Sequence, residues 1–455
     1  MLVIISDIHL GDNSCSKSIS PSAFYLFASH LRELARQASW RKDNTYRPIE
    51  NIDLLLMGDI LDPQHSTLWL DTKPGDPNYT RPWTDFRAPQ FAAKLHEVTR
   101  DILRENAEGI KILRDCVHGR MISLPPATAS GRPDFSASEY VYPTFRIHYM
   151  IGNHDWYYHL PGLAFDQIRQ DVIEAFGLSN PPDNFPWEAH ELEPLENLFA
   201  RYQFYGRHGD LYDKFNYDAE KGRDSAALGD VFAMEMLNRY PVEVKKQLGN
   251  ELPAALVDSL GKLTNIRPAL VTPLWISGQI KQHSQDKKMK DELKRIWDQM
   301  GQEFLNLDVV RQADKAFRFD MVDALQIVLG LTRRTSFRRV NDVVVWVRNN
   351  MWGGQVSFIK HALQEPAFLN GTARYIAYGH THHQEVVPLD SDGIPPSTSY
   401  QMYMNTGCWQ SYYTLTARDP QDQKFVPYKM LSYLVYYHDD QRGGRHFESW
   451  SGVLA

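Results

Sequence analysis

Asp7 and His9 stand two residues apart, directly after the apolar run Leu2 to Ile5. In a strand, residues two apart project to the same side. A carboxylate and an imidazole converging at a strand end form either a hydrogen-bonded structural pair or half of a metal site. One pair does not decide between these. Four further clusters of the same chemical kind follow along the chain. They are Asp59 and Asp62 in GDILD, Asn153, His154 and Asp155 in GNHD, His208 in GRHGD, and His380 and His382 in GHTH. Imidazole suits zinc, iron and related transition metals, whereas carboxylate and amide oxygens suit harder ions such as manganese. Two divalent ions ~3.5–4 Å apart need a shared anion to offset their repulsion. Asp59, preceded by a glycine that permits close approach, is the candidate for that shared anion. A lone D-x-H or H-x-H arises easily by chance. Five such clusters in series do not.

Each cluster ends a short apolar run. Leu54 to Met57 lead into Gly58 and Asp59, Ile147 to Ile151 into Gly152 to Asp155, and a Tyr/Phe-rich run into Gly206. Tyr375 to Tyr378 lead into Gly379, and Met402 to Met404 into Asn405 to Trp409. Val and Ile are stiff at χ1 and suit a pleated surface, so these runs read as strands. In open α/β sheets, ligands gather beyond the carboxyl ends of strands. Helical spacing of apolar residues predicts helices in PSAFYLFASHLRELARQA and QFAAKLHEVTRDILREN. Residues 63–90, 117–143 and 179–195 are rich in turn residues and read as loops. Residues of roughly 214–370 differ in kind. They read as mostly helical, with DKKMKDELKRIWDQMGQEFLNL and KAFRFDMVDALQIVLGL as the clearest amphipathic runs. This stretch is slightly basic, so the remainder carries the negative charge of the chain.

The bulk properties narrow the function classes. The 455 residues suffice for more than one core, or for one domain with a large insertion. A net charge of −7 gives no general reason to expect polyanion binding. Cys15, Cys116 and Cys408 are few and far apart, so no disulfide framework or Cys-based zinc pattern follows, and a reducing compartment is expected. The N-terminal apolar run is too short for a signal peptide and lacks a basic start. No stretch has the length of a membrane-spanning helix. A cytoplasmic location is the expectation.

With SDIHL, GDILD, GNHD, GRHGD and GHTH in this order, the sequence resembles the calcineurin-like metallophosphoesterase superfamily. The motifs fall within 1–213 and 371–410. The resemblance implies an α/β fold, a four-layer α/β/β/α sandwich with the site at its strand ends. Its core would comprise residues 1–213 and 371–455, with 214–370 as a large helical insertion or cap. Carried over by motif position, Asp7, His9, Asp59 and His382 would hold one divalent ion. Asp59, Asn153, His208 and His380 would hold the other. Asp59 would bridge, with a hydroxide between the ions. His154 would sit over the leaving group, oriented by Asp62. The implied cofactors are two divalent ions, manganese first, with iron, zinc, nickel or magnesium as alternatives. The implied activity is hydrolysis of a phosphodiester, pyrophosphate or phosphomonoester by metal-activated hydroxide, and the implied partner is a phosphate-ester substrate.

The protein-phosphatase branch carries DRG after its GD motif and GNHE later. GDILDPQ and GNHD argue against that branch. GRHGDLYDKFN is more similar to a bacterial branch that includes pyrophosphate-cleaving hydrolases of lipid and nucleotide-sugar substrates. A metal-dependent nuclease acting on DNA or RNA is the second enzymatic reading. QDKKMKDELKR and TRRTSFRRV, the latter with Arg333, Arg334, Arg338 and Arg339, could contact a phosphate backbone. Such runs more often mark solvated helix faces, and nucleic acid is not favoured. In a third reading, from another class, the chain is a binding or scaffold protein on the same core. Near the site, Asp210, Asp213 and Asn405 are candidate supporting partners, Asp155 reads as structural, and Arg207 is a candidate phosphate contact. His383 should face away from His382.

Overall fold

The computed structural model describes residues 1–313 apart from 268, 284 and 285, together with 325, 326, 329, 355–389, 401–415 and 425–453. The fold is mixed α/β with three sheets among these residues. In the first, β1 (Leu2–Ile5) is central. It pairs in parallel with β2 (Asn51–Met57), which pairs in parallel with β3 (Thr144–Met150). On its other side β1 runs antiparallel to β11 (Leu431–Tyr436), and β12 (Phe447–Gly452) closes that edge. The register sets Ile5 opposite Leu56, and Met57 opposite Met150. The polar residues after β1, β2 and β3 therefore leave the sheet at one end.

The second sheet has the order β4 (Phe204–Gly206), β6 (Tyr375–Tyr378), β8 (Met402–Asn405), β7 (Glu385–Pro388). Gly206 lies opposite Ala377, and Tyr378 opposite Asn405. Its parallel strands deliver His208 and the GHTH turn from one end. The third sheet is small: β10 (Phe425–Lys429), β9 (Ser411–Leu415) and the two-residue β5 (Ile266–Arg267).

Strand alternation divides the apolar residues between faces. Val3, Ile5, Leu54, Leu56 and Ile147 face a core that includes Phe24 and Phe27 of α1 (Pro21–Ala38) and Leu95 of α2 (Pro89–Glu105). Leu2, Ile4, Leu55, Met57 and Met150 face the other way and cluster with Phe204, Tyr375, Ala377 and Met404 of the second sheet. Burial on both sides is why these strands read as continuous apolar runs. Helix α1 matches its sequence expectation from first to last residue. Ser20 caps it by accepting from Ser22 N–H at 3.3 Å, and Pro21 opens it with a fixed φ and no donor to lose.

The described residues of 214–370 are mostly helical, with one helix at Lys287–Leu305 where the sequence places an amphipathic run. A separate core gathers Phe215, Val231, Tyr240, Trp275, Trp297 and Phe304. Two features depart from the expected boundaries. Phe358, Ala362 and Phe368, from the helices Gln355–Ala362 and Pro366–Leu369, pack on Ile376, Tyr378 and Tyr403 of the second sheet instead. The helical core also reaches out to β9 and β10 through Tyr413 and Phe425. The expected helix at 315–331 lies largely outside the described residues, as do Arg333, Arg334, Arg338 and Arg339. Among the described residues no helix is long and apolar enough to cross a membrane.

Candidate metal centre

The turns after the strands are strained where the chemistry sits. Asp7, His9, Asp59, His380 and His382 have φ of 52°, 51°, 55°, 67° and 60°. Left-handed backbone is uncommon outside glycine and costs of order 1–3 kcal/mol per residue, so it persists only where surrounding structure imposes it. Here the turns after β1 and β2 impose it on each other. Asp7 N–H donates to Gly58 O at 3.1 Å, His9 N–H to Asp59 O at 2.9 Å, and Leu10 N–H to Ile60 O at 2.8 Å. Gly58, at φ 84°, has no room for a side chain. A Cβ there would lie 2.6 Å from the His208 ring. The glycine before Asp59 is what lets the His208 ring and the Gly152 backbone close on this turn.

Two groups of donor atoms result. In the first, His9 Nε2 and His382 Nε2 face each other at 3.1 Å. Asp7 Oδ1 lies 3.4 Å from His382 Nε2 and 3.9 Å from His9 Nε2. In the second, His208 Nε2 lies 3.2 Å from Asp59 Oδ2, and His380 Nδ1 lies 2.9 Å from Asn153 Oδ1. Asp59 Oδ2 is also 3.6 Å from His9 Nε2, so this one oxygen adjoins both groups. Asp59 Oδ1 is committed elsewhere, accepting from His154 N–H at 2.8 Å. All seven sequence-predicted ligands, Asp7, His9, Asp59, Asn153, His208, His380 and His382, are thus brought together.

The donor set fits divalent cations. Ligand bonds of ~2.1 Å place neighbouring donors roughly 3.0–3.4 Å apart at octahedral or tetrahedral angles. The separations of 3.1, 3.2 and 3.4 Å above fall in that range, and the 2.9 Å pair lies just below it. Two imidazole nitrogens at 3.1 Å need a proton or a cation between them. His208 Nε2 is buried, and its near neighbour is the Asp59 carboxylate at 3.2 Å. Charge points the same way. Burial lowers the pKa of His208, but Asp59 and Asp7 raise it further, to about 10. Without an ion, the site takes up a proton as its counter-charge. Burial and the neighbouring Asp59 push Asp7 up, although His208 opposes them.

His154 and Asp62 form the adjoining network. Asp62 Oδ1 lies 3.0 Å from His154 Nδ1, and Asp62 Oδ2 lies 3.1 Å from His9 Nδ1. One carboxylate therefore orients both rings. It also binds His65, 2.8 Å from Oδ2 to Nδ1, a partner that sequence reasoning missed. Burial disfavours the charged Asp62, but His65 and His154 outweigh burial and hold its pKa well below the ordinary carboxylate value. His65 lies in the proline-rich loop, and its three-residue spacing from Asp62 was the available signal. The His154 ring packs edge-on to His9 at a centroid distance of 4.5 Å.

The remaining expectations sort as follows. Asp155 is structural, taking hydrogen bonds from Gly152 N–H (2.5 Å), Tyr149 O–H (2.7 Å) and Ile60 N–H (2.9 Å). Burial, with Asp59, raises its pKa to about 7. Asp213 supports the site directly, 3.1 Å from His380 Nε2. Asp210 binds Arg223 instead. Asn405 donates to Gly379 O at 2.7 Å and fixes the GHTH turn. His383 is exposed. Arg207 is not placed as a phosphate contact. It pairs with Glu188 at 3.0 Å and Glu365 at 3.3 Å, two buried carboxylates that neutralise it. A scan against protein-family models finds no match to the chain, and a search of curated proteins finds none either.

Proposed function

We propose that this protein is a dinuclear-metal phosphoesterase of the calcineurin-like metallophosphoesterase type. The position of Asp59 carries this reading: one carboxylate oxygen adjoins both donor groups, at 3.6 Å from His9 Nε2 and 3.2 Å from His208 Nε2. The family architecture, helices on both outer faces of two stacked sheets, is supported by three stacked apolar clusters. One lies between α1 and α2 and the first sheet, one between the two sheets, and one between the second sheet and residues 355–369.

Asp7, His9, Asp59 and His382 would hold one ion, and Asp59, Asn153, His208 and His380 the other, manganese being the first choice. When bound, the two ions supply Lewis acidity to a phosphoryl group and lower the pKa of a water to near neutrality. The protein groups do the rest. Asp62 takes the Nδ1 side of His154 and leaves Nε2 facing the site, 4.0 Å from Asp59 Oδ2. From there His154 can donate a proton to a departing oxygen or stabilise charge on it. Asp62 does the same orienting work for His9, as carboxylates commonly do for ligand histidines. Asp213 and Asn405 hold the GHTH turn from opposite sides. Nothing among the described residues favours the nuclease over the phosphoesterase.

The test is manganese uptake and turnover together. Calorimetry on chelator-treated protein should give two ions per chain. A generic aryl phosphodiester should be cleaved with manganese present and not after EDTA. Asp59→Asn should abolish both uptake of the ion pair and turnover. His154→Ala should keep metal uptake and lose ~10²–10⁴-fold in rate. Silence towards several esters with every metal, in a protein that melts normally, overturns the proposal in favour of a scaffold.

A further inference from the structure

The helical insertion contributes one residue that the mechanism above leaves unused. Arg267 is the last residue of β5, and β5 pairs in parallel with β9. The register sets Ile266 opposite Tyr413 and Arg267 opposite Thr414. Directly paired residues share a face, and alternate residues along a strand return to it. Ile266 and Tyr413 therefore share one face, and both pack into the helical core, where Trp275 meets Tyr413 at 4.8 Å. Arg267, Thr414 and Tyr412 share the opposite face. That face looks onto the metal centre, because the Tyr412 ring lies 6.1 Å from His382.

The guanidinium is set up to receive something. Its Nη1 donates to Thr264 O at 2.7 Å and Ile266 O at 3.2 Å. These are its only hydrogen-bond partners among the described residues, and no carboxylate among them pairs with it. Two carbonyls fix one corner of the fork, and among the described residues nothing pairs with its Nε–Nη2 edge. That edge presents two parallel N–H donors, the geometry that matches two oxygens of a phosphate. Burial lowers the pKa of Arg267, and Cys408, Asp62, Asp7 and Asp59 pull it back up, so the charge sits within the field of the site. Arg207 and Arg223, by contrast, are each neutralised by buried acidic partners.

We propose that Arg267 is a substrate-binding residue which grips non-bridging oxygens of the phosphate ester through its Nε–Nη2 edge. The helical insertion is then a working wall of the site as well as a cover. This rests on the phosphoesterase reading, and the experiment separates the two. Manganese is titrated first into wild type, Arg267→Gln and Arg267→Lys, and inorganic phosphate is then titrated into each manganese-loaded protein. All three should take up two ions per chain. Arg267→Gln should weaken phosphate by about tenfold or more and raise KM for the aryl phosphodiester in step, and Arg267→Lys should recover only part of the loss. A wild type that takes up no manganese sinks the metal reading, and this inference with it. Three proteins that load normally but bind phosphate within twofold of one another sink this inference alone. Should a variant melt early, phenylglyoxal labelling of the wild type answers instead. Phosphate with manganese should shield Arg267 from modification, and equal labelling with and without phosphate overturns the proposal.

Discussion

His208 shows how much of this site is decided by one proton. Its ring is buried between Asp7 and Asp59, 3.2 Å from the latter. Burial alone would favour the neutral ring, but the two carboxylates win and raise its pKa to about 10. The ion-free protein therefore carries an imidazolium there across the neutral range. A metal ligand must be neutral imidazole, so if His208 holds manganese as proposed, the ion has to expel that proton. Below about pH 10 this one group should make manganese affinity rise ~tenfold per pH unit. Calorimetry at pH 7.5 in two buffers of different ionisation enthalpy should count the released proton, and His208→Asn should release one fewer. Equal counts would mean that the ion-free His208 ring is neutral or that it does not meet the ion, and either outcome overturns the proton argument. The convergence of the seven proposed ligands was legible because strand ends and glycines flagged them. Arg207 misled because its partners, Glu188 and Glu365, come from remote segments that no local pattern connects to it. His65 was missed because its role depends on Asp62 having a free oxygen to share.

At the scale of elements, long periodic segments announce themselves and short ones do not. Helix α1 has apolar residues on one face, a serine cap and a proline start, and each signal agrees with the others. β5 has two residues and no period to read. It is a strand only because β9 comes alongside it from much later in the chain. The helix Leu228–Phe232, at the mouth of the insertion, carries a different tension. Asp230 accepts from Ala227 N–H at 2.5 Å, yet it is buried. Burial raises its pKa to about 7, against the pull of the Ala227 amide and with a smaller push from Asp59 and Asp210. The folded chain thus binds a proton at Asp230 that the unfolded chain has already released above about pH 4. Stability from this group is full below about pH 4 and is lost as pH rises through about 7. Asp230→Asn keeps an acceptor for the amide and cannot ionise. It should match wild type in melting near pH 4 and exceed it at pH 8, by a few kcal/mol at most. Parallel melting curves at both pH values would contradict the burial argument.

For the whole molecule, the question is whether the insertion and the strand-end site are one cooperative unit. The sheets and α1 share cores built mostly from residues 1–204 and 375–437, into which Ala226 and Met234 of the insertion also pack, and the strands of these cores carry the proposed metal ligands. The insertion has its own core, joined to the rest on one side through β5, Tyr413 and Phe425, and on another through Ala226, Met234, the buried Arg81–Glu235 pair and Asn238, which donates to Gln64 O at 2.9 Å. Trp275 is the keystone of that junction. Its ring meets Tyr413 at 4.8 Å and Phe425 at 5.0 Å, and its Nε1 donates to Ser259 O at 3.2 Å. Trp275→Ala should cost ~3–5 kcal/mol, as large-to-small changes in packed cores do. Because the proposed ligand-bearing strands pack in other clusters and Trp275 lies in the insertion's own core, the loss should fall first on the insertion. Melting should split into two steps, the earlier one from the insertion. Limited proteolysis should cut first within 214–313 and leave the N-terminal strands intact. Between the two steps the protein should still take up two manganese ions, while its affinity for phosphate falls as β5 and Arg267 leave the site. A single melting step that takes metal uptake with it would mean that the insertion is part of the scaffold holding the ligands, and the division of labour between the two cores would have to be abandoned.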